Sequence, residues 1–253
     1  MAKKVEVIYG IHAVRHALNR SPADVLELWI QEGKQAAGEL AAIVAMAATA
    51  MRPVQYVSRA TLDKISAGGV HQGIAIKRRR IPIPISDLAS LLDALDNTVP
   101  LLLVLDGIQD PHNLGACLRT ANATGVDAVI IPADRTVSVN ATVCKIASGA
   151  AEHTPVITVT NLARTLTQLQ ERGLWCFGLS EAAESEIYAT DLTVPIALVL
   201  GAEGKGLRQN TRRHCDKLVS IPMFGQVESL NVSVAAAVCL YEAVRQRIKN
   251  SGK

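Results

Sequence analysis

Three polar clusters in this chain of 253 residues combine groups able to grip an anion, orient a hydroxyl and take up a proton. The first is Asp106-Gly-Ile-Gln-Asp-Pro-His-Asn113-Leu-Gly115-Ala-Cys-Leu-Arg119. Asn113 is placed to start a helix whose apolar stripe is Leu114, Cys117, Leu118 and Ala121. Gly115 and Arg119, four apart, share a helix face, and helical side chains lean toward the N terminus, so Gly115 leaves a gap through which Arg119 can reach the loop. A guanidinium there offers a planar fork of donors for a phosphate or a hydroxyl. A surface arginine paired with Asp110 is the alternative. The second cluster, Gly201-Ala-Glu203-Gly-Lys-Gly206, lacks the G-x-x-x-x-G-K-[ST] spacing of a phosphate loop and leaves one carboxylate, Glu203, to meet a substrate or a cation. The third runs from Ile221-Pro-Met223-Phe-Gly225 to Ser229-Leu230-Asn231-Val-Ser233. Its hydroxyls and amide crowd a helix start, where plain capping explains them equally well.

Each cluster follows an apolar run that reads as a strand, and open α/β sheets hold their ligands at strand carboxyl ends. Strand-like runs fall at 101–105, 128–131, 156–159, 174–179, 196–200 and 218–221, with helical segments between most of them. Six such runs predict a mainly parallel sheet covered on both faces. From Asn231 the period changes, with Val234, Ala237, Val238, Tyr241, Val244 and Ile248 forming one stripe at helical spacing. Residues 139–153 read as a small-residue helix carrying Asn140 and Lys145 as substrate contacts. Residues 5–76 form a separate, smaller α/β unit. The prolines of Ile81-Pro-Ile-Pro-Ile85 enforce extended backbone. They place a linker at 78–98 between a first domain at 1–77 and a second at 99–253.

Charge divides along the chain. Residues 1–80 hold 12 Lys and Arg against 6 Asp and Glu, 81–200 hold 5 against 13, and 201–253 hold 9 against 4. Basic ends around an acidic middle suit a polyanion such as RNA, and Lys77-Arg78-Arg79-Arg80 is the densest basic run. Five scattered cysteines form neither a C-x-x-C pair nor a metal-ligand spacing, which leaves them as reduced core thiols and predicts no metal. No apolar run is long enough to span a bilayer, and the start carries no signal-peptide core, so a cytoplasmic protein without membrane contact is expected.

In order and spacing, Asn113 to Arg119, Leu198 to Leu207 and Ile221 to Ser233 resemble the three motifs of the SpoU/TrmH branch of the SPOUT RNA ribose methyltransferases. Tyr9-Gly-Ile-His-Ala-Val and His71-Gln-Gly-Ile look like the members that carry an L30e-like RNA-binding domain. The resemblance implies an L30e-like α/β domain joined to a SPOUT domain with a deep trefoil knot. It implies S-adenosylmethionine held at the knot by Leu200, Gly201, Ile221, Met223, Leu230, Asn231 and Ser233. It assigns Arg119, Asn113, Glu203, Ser229 and Asn231 to catalysis. Arg119 would position the 2'-hydroxyl and its phosphate, and Glu203 would orient substrate or relay the proton. RNA contacts fall to Arg78, Arg79, Arg80 and Lys145. The implied reaction is 2'-O-methylation of a guanosine ribose in 23S rRNA, free or in a precursor of the large subunit, by a homodimer joined through the catalytic domains. Methylation of tRNA, or a non-catalytic role in RNA binding or ribosome assembly, are the other readings.

Overall fold

The computed structural model of the chain describes residues 5–20, 22–34, 38–79, 87–95 and 99–250. Its elements begin with β1 (Val5–Tyr9), α1 (Ile11–Arg20), β2 (Val25–Gln31), α2 (Glu39–Thr49), β3 (Val54–Val57), α3 (Arg59–Ile65), β4 (Ile74–Arg79) and α4 (Leu88–Ala94). They continue with β5 (Leu101–Asp106), α5 (Pro111–Ala123), β6 (Ala128–Pro132), α6 (Ala141–Ile146), β7 (Val156–Val159) and α7 (Leu162–Glu171). The chain closes with β8 (Trp175–Leu179), β9 (Ser185–Glu186), β10 (Ile196–Gly201), α8 (Gln209–Arg213), β11 (Lys217–Ser220) and α9 (Val232–Asn250). Two compact units result, Met1–Ile83 with Val139–Glu152, and Pro84–Ser138 with His153–Lys253.

In the first unit the strands run β1-β4-β2-β3, with β4 antiparallel to both neighbours and β3 parallel to β2. Alternation along each strand separates two faces. Ile8, Leu28, Ile30 and Ile76 pack on α1 and α2, whereas Tyr9, Trp29 and Ala75 pack on Leu62 of α3. The segment 139–152 completes this unit. Tyr9 Oη lies 3.0 Å from Thr142 Oγ1, and Lys145 Nζ stands 5.9 Å from the centre of the Tyr9 ring. The expected helix over 139–153 is only six residues long, because Ser148 (φ 51°) and Gly149 (φ 93°) turn left-handed and end it. Asn140, expected to meet substrate, caps α6 by accepting the Val143 N–H at 3.0 Å.

Arg78 departs from its expected role. It is 4% exposed, with Nη2 2.8 Å from Glu6 Oε1 and paired also to Glu152. Burial pulls its pKa down, but Glu152 and Glu6 outweigh that and hold it above the usual arginine value. A guanidinium committed to two carboxylates is a core ion pair and not a free hand for RNA. Arg79, next along β4, is exposed, and Arg80 lies outside the described residues.

The second unit has seven strands where six were expected, in the order β7-β6-β5-β10-β8-β11-β9, and every pairing is parallel. The addition, β9, is a two-residue edge strand. All six residues of β5 are buried, and β5 and β10 run in register to Asp106 opposite Gly201. The loops after these two central strands therefore leave the sheet side by side. Val104, Ile130 and Val199 face Leu162, Leu166 and Leu169 of α7 in one core. α5 packs on α9.

The stretch expected as linker carries more structure than its prolines suggested. β4 keeps Arg78 and Arg79, and α4 opens with a reciprocal cap in which Asp87 accepts the Ser90 N–H at 2.8 Å. Leu91, Leu92 and Leu95 then bury against the second unit's core, each stabilising it by about 1.5–3 kcal/mol. The proline run itself, 81–85, lies outside the described residues. No described helix is long and apolar enough to cross a membrane.

Candidate active site

Three turns at the carboxyl edge of the second unit's sheet build the site. After β5 the chain turns at Gly107 (φ 87°) and enters α5 through Asp110, which accepts the His112 N–H at 2.8 Å, with Pro111 in the first turn. The cap is thus Asp110 and not Asn113, and an Asp-Pro start needs no help from the residue three places on. The Asn113 amide is left free to reach sideways. The backbone N–H of His112, then its ring, holds the Asp110 carboxyl below its ordinary pKa.

After β10, Gly206 donates its N–H to the Ala202 carbonyl at 2.8 Å and closes a tight loop. A Cβ on Gly201 would lie 2.0 Å from the Gly206 carbonyl carbon, so only glycine permits this closure. After β11 the chain runs without regular structure to Asn231, which caps α9. Asn231 Oδ1 accepts the Ser233 N–H at 2.9 Å and its hydroxyl at 2.6 Å, while the Asn231 carbonyl accepts the Ala235 N–H at 2.9 Å.

Hydrogen bonds tie the three turns together. Asn231 Nδ2 donates to Asn113 Oδ1 at 3.0 Å and to Glu203 Oε2 at 3.4 Å. Asn113 Nδ2 donates to the same Glu203 oxygen at 3.3 Å. Each amide end has a partner of the right kind, so the network orients both asparagines without ambiguity.

Two cavities meet at Glu203. One, of about 310 Å³, has apolar walls from Leu179, Leu200, Ile221, Met223 and Leu230, with Ser229 at its rim. The other, of about 370 Å³, is polar and is lined by Asp106, Asp110, Asn113, Arg135, Lys205 and Arg208. The loop 202–206 is the wall between them, and Glu203 belongs to both. The cysteines take no part: burial pushes the thiols of Cys117 and Cys239 up to about 12, which leaves them protonated and unreactive.

Residues 100–241 match the family model described as SpoU rRNA Methylase. The chain belongs to the SpoU rRNA methylase family. A second model, RNA 2'-O ribose methyltransferase substrate binding, matches residues 7–81. Among curated SpoU relatives, the 23S rRNA (guanosine-2'-O-)-methyltransferase RlmB of Pectobacterium atrosepticum is 52% identical over 96% of this chain and 98% of its own. A crystal structure of an RNA 2'-O ribose methyltransferase superposes with a TM-score of 0.78 at 27% identity, covering 98% of this chain and 90% of that one. The SpoU methyltransferase AviRb of Streptomyces viridochromogenes, solved in complex with the cofactor AdoMet, gives 0.75 at 22% identity over 96% and 90%, a likeness of fold.

Set against the SpoU motifs, the geometry separates the expected residues into groups. Leu200, Gly201, Ile221, Met223 and Leu230 line the apolar cavity, as does Ser229. Asn113, Glu203 and Asn231 form the bonded network, and Ser233 braces it from behind through Asn231. Arg119 is exposed on α5 and lines neither cavity, while Gly115 is buried in the helix packing, so the expected gap does not lead the guanidinium to the loop. Lys145 lies over Tyr9 in the first unit, where burial lowers its pKa. Sequence reasoning missed Asp106, Arg135, Lys205 and Arg208. A carboxylate ending the apolar run Leu101 to Leu105 was the available signal for the first of these.

Proposed function

We propose that this chain transfers a methyl group from S-adenosylmethionine to the 2'-hydroxyl of a guanosine ribose in 23S rRNA. The observation that carries the reading is the position of Glu203, held by two asparagines in the wall shared by an apolar and a polar cavity. The apolar cavity suits the donor: its aliphatic walls match a purine face, its volume is at the lower end of the ~300–1,000 Å³ common for small-molecule sites, and its charged lining, Glu181, Glu203 and Glu228 with Lys205 and Arg212, suits a ligand that carries both signs of charge. Bound there, the donor would supply an electrophilic methyl on a sulfonium, whose C–S bond breaks as the methyl leaves so that a neutral thioether remains.

A ribose hydroxyl is a poor nucleophile, so the chain must align it and take its proton. Glu203 faces the polar cavity, where the acceptor ribose would enter, and its carboxylate receives the hydroxyl proton as the new C–O bond forms. Asn113 and Asn231 keep that carboxylate aimed, and Ser229 fixes the donor side of the line of attack. Arg119 is assigned to the RNA phosphate next to the target ribose, a contact made once RNA is seated. Arg79 gives the substrate-binding unit a basic contact for the same strand.

The knot and the homodimer belong to the same proposal. The loop after β10 and the segment after β11 share one cavity, as a trefoil crossing would require. Val234 and Tyr241, 48% and 54% exposed and seven residues apart, give α9 an apolar stripe for a second copy. A cytoplasmic site of action follows from an rRNA substrate. The domains are proposed as substrate binding at 1–77 and catalysis at 99–253, in keeping with the two family matches.

The test is transfer of labelled methyl to unmethylated 23S rRNA and, in parallel, to bulk tRNA, with the modified position mapped by resistance to alkaline cleavage. One labelled guanosine ribose in 23S rRNA is expected. Labelling of tRNA alone would keep the mechanism and change the substrate. No labelling despite donor binding would favour a role in RNA binding or assembly.

A further inference from the structure

We infer that Arg208, braced by the buried carboxylate of Asp106, is a ligand for an RNA backbone phosphate in the polar cavity and thereby positions the acceptor strand. The inference deepens the proposed function, since it takes that cavity as the acceptor side.

Asp106 ends the central strand β5 and is 1% exposed. Its Oδ2 accepts the Arg208 backbone N–H at 3.0 Å, and its Oδ1 lies 3.2 Å from Arg208 Nε. That second contact is an ion pair without hydrogen-bond geometry, so a buried carboxylate oxygen is left unsatisfied beside a guanidinium. The guanidinium lies over Gly107, where a Cβ would come within 2.9 Å of Nη2, and Nη2 reaches the Asp134 carbonyl at 3.4 Å. One edge of the fork is thus held by Asp106, and the side chain, 37% exposed, presents the rest of its donors to the cavity.

The surroundings add donors. Val137 donates its N–H to the Ile108 carbonyl at 2.8 Å, which holds the loop after β6 beside the loop after β5 and brings Arg135 (φ 58°) to the same cavity. Lys205 adds a third cation. The carboxylates there are already engaged: Asp106 faces Arg208, Asp110 caps α5, and Glu203 accepts from two amides. Three cations thus balance three carboxylates, and what the cavity offers a ligand is a guanidinium fixed at one edge with further N–H donors beside it, a geometry that grips a phosphodiester oxygen.

The test uses the full chain and in vitro transcribed, unmethylated 23S rRNA, with equilibrium binding measured between about 50 and 200 mM salt. Arg208→Ala should weaken binding about tenfold and reduce the salt slope by about one, while affinity for S-adenosylmethionine changes less than about twofold. Arg208→Lys keeps the charge and the partner Asp106, so the slope should stay while kcat/KM for RNA falls about tenfold, because an ammonium cannot grip in two places. Arg135→Ala, which leaves the Asp106–Arg208 pair in place, should lower the slope with the thermal midpoint unchanged.

An unchanged slope in both alanine variants, or wild-type kcat/KM in Arg208→Lys, would overturn the inference. If Arg208→Ala does not fold, the other two variants decide it. The binding readout needs no methyl transfer. A wild-type chain that labels no RNA yet loses slope on Arg208→Ala would sink the proposed function and leave this inference standing.

Discussion

Glu203, on the loop after β10, and Asp106, buried at the end of β5, meet opposite conditions. Glu203 is exposed, with two amides on one oxygen, and remains within reach of a substrate. Glu203→Gln keeps the shape and removes the base, so kcat should fall by about 10²–10⁴ with donor affinity nearly unchanged, measured by single-turnover transfer and by calorimetry. Asn113→Ala and Asn231→Ala act through the same carboxylate. Either one combined with Glu203→Gln should lose little beyond Glu203→Gln alone. The basic run shows where single-residue reading stops. Lys77 to Arg80 is one patch in the sequence, yet β4 turns alternate side chains to opposite faces, burying Arg78 and exposing Arg79. Arg78→Ala leaves Glu152, 5% exposed, without its cation, and should cost about 3–5 kcal/mol in denaturant unfolding. Arg79→Ala should leave stability unchanged and reduce the salt dependence of RNA binding.

At the scale of elements, α5 carries the prediction with a pH dependence. Asp110→Ala removes the cap and should destabilise the chain by about 1 kcal/mol, measured at neutral pH. The folded carboxyl has a pKa below its unfolded value, so its contribution is complete above the ordinary carboxylate value of 3.8 and is lost as pH falls through the folded pKa. The difference between wild type and variant should therefore shrink on acidification below about pH 4. Most of these elements were legible, since the six longer strands of the second unit and the existence of α9 follow hydrophobic period alone, although α9 buries Val232, Ala235, Ala236, Cys239, Leu240 and Ala243 and leaves Val234, Tyr241 and Ile248 of the expected stripe exposed. The helix α4 was legible too, with Leu88, Leu91, Leu92 and Leu95 at helical spacing behind Asp87, but the adjacent prolines drew the whole stretch into a linker. The strand β9 offered no pattern, because two residues cannot show a period. Asn113 was expected to start α5, and the cap falls on Asp110 because Pro111 fixes the first turn. The reach of Arg119 toward the loop was not readable, because helical spacing gives a shared face but not the packing around it.

For the whole molecule, the proposed dimer and the divided first unit matter most. Tyr241→Glu on the exposed stripe of α9 should halve the mass in light scattering without unfolding the chain, and an unchanged mass would remove α9 from the proposed interface. Motif order was enough to expect both units, whereas the return of 139–152 to the first one was not readable, because its small-residue pattern fits packing against any surface. That return bears on dissection of the gene. A fragment cut at the boundaries of the substrate-binding match, 7–81, would lose Glu6 as well as Glu152 and keep Arg78, and it would also lack the Thr142 hydroxyl that meets Tyr9. Such a fragment would carry a buried cation stripped of both counter-charges. The family boundary marks a stretch of shared ancestry, and the excisable piece needs a graft from the middle of the chain.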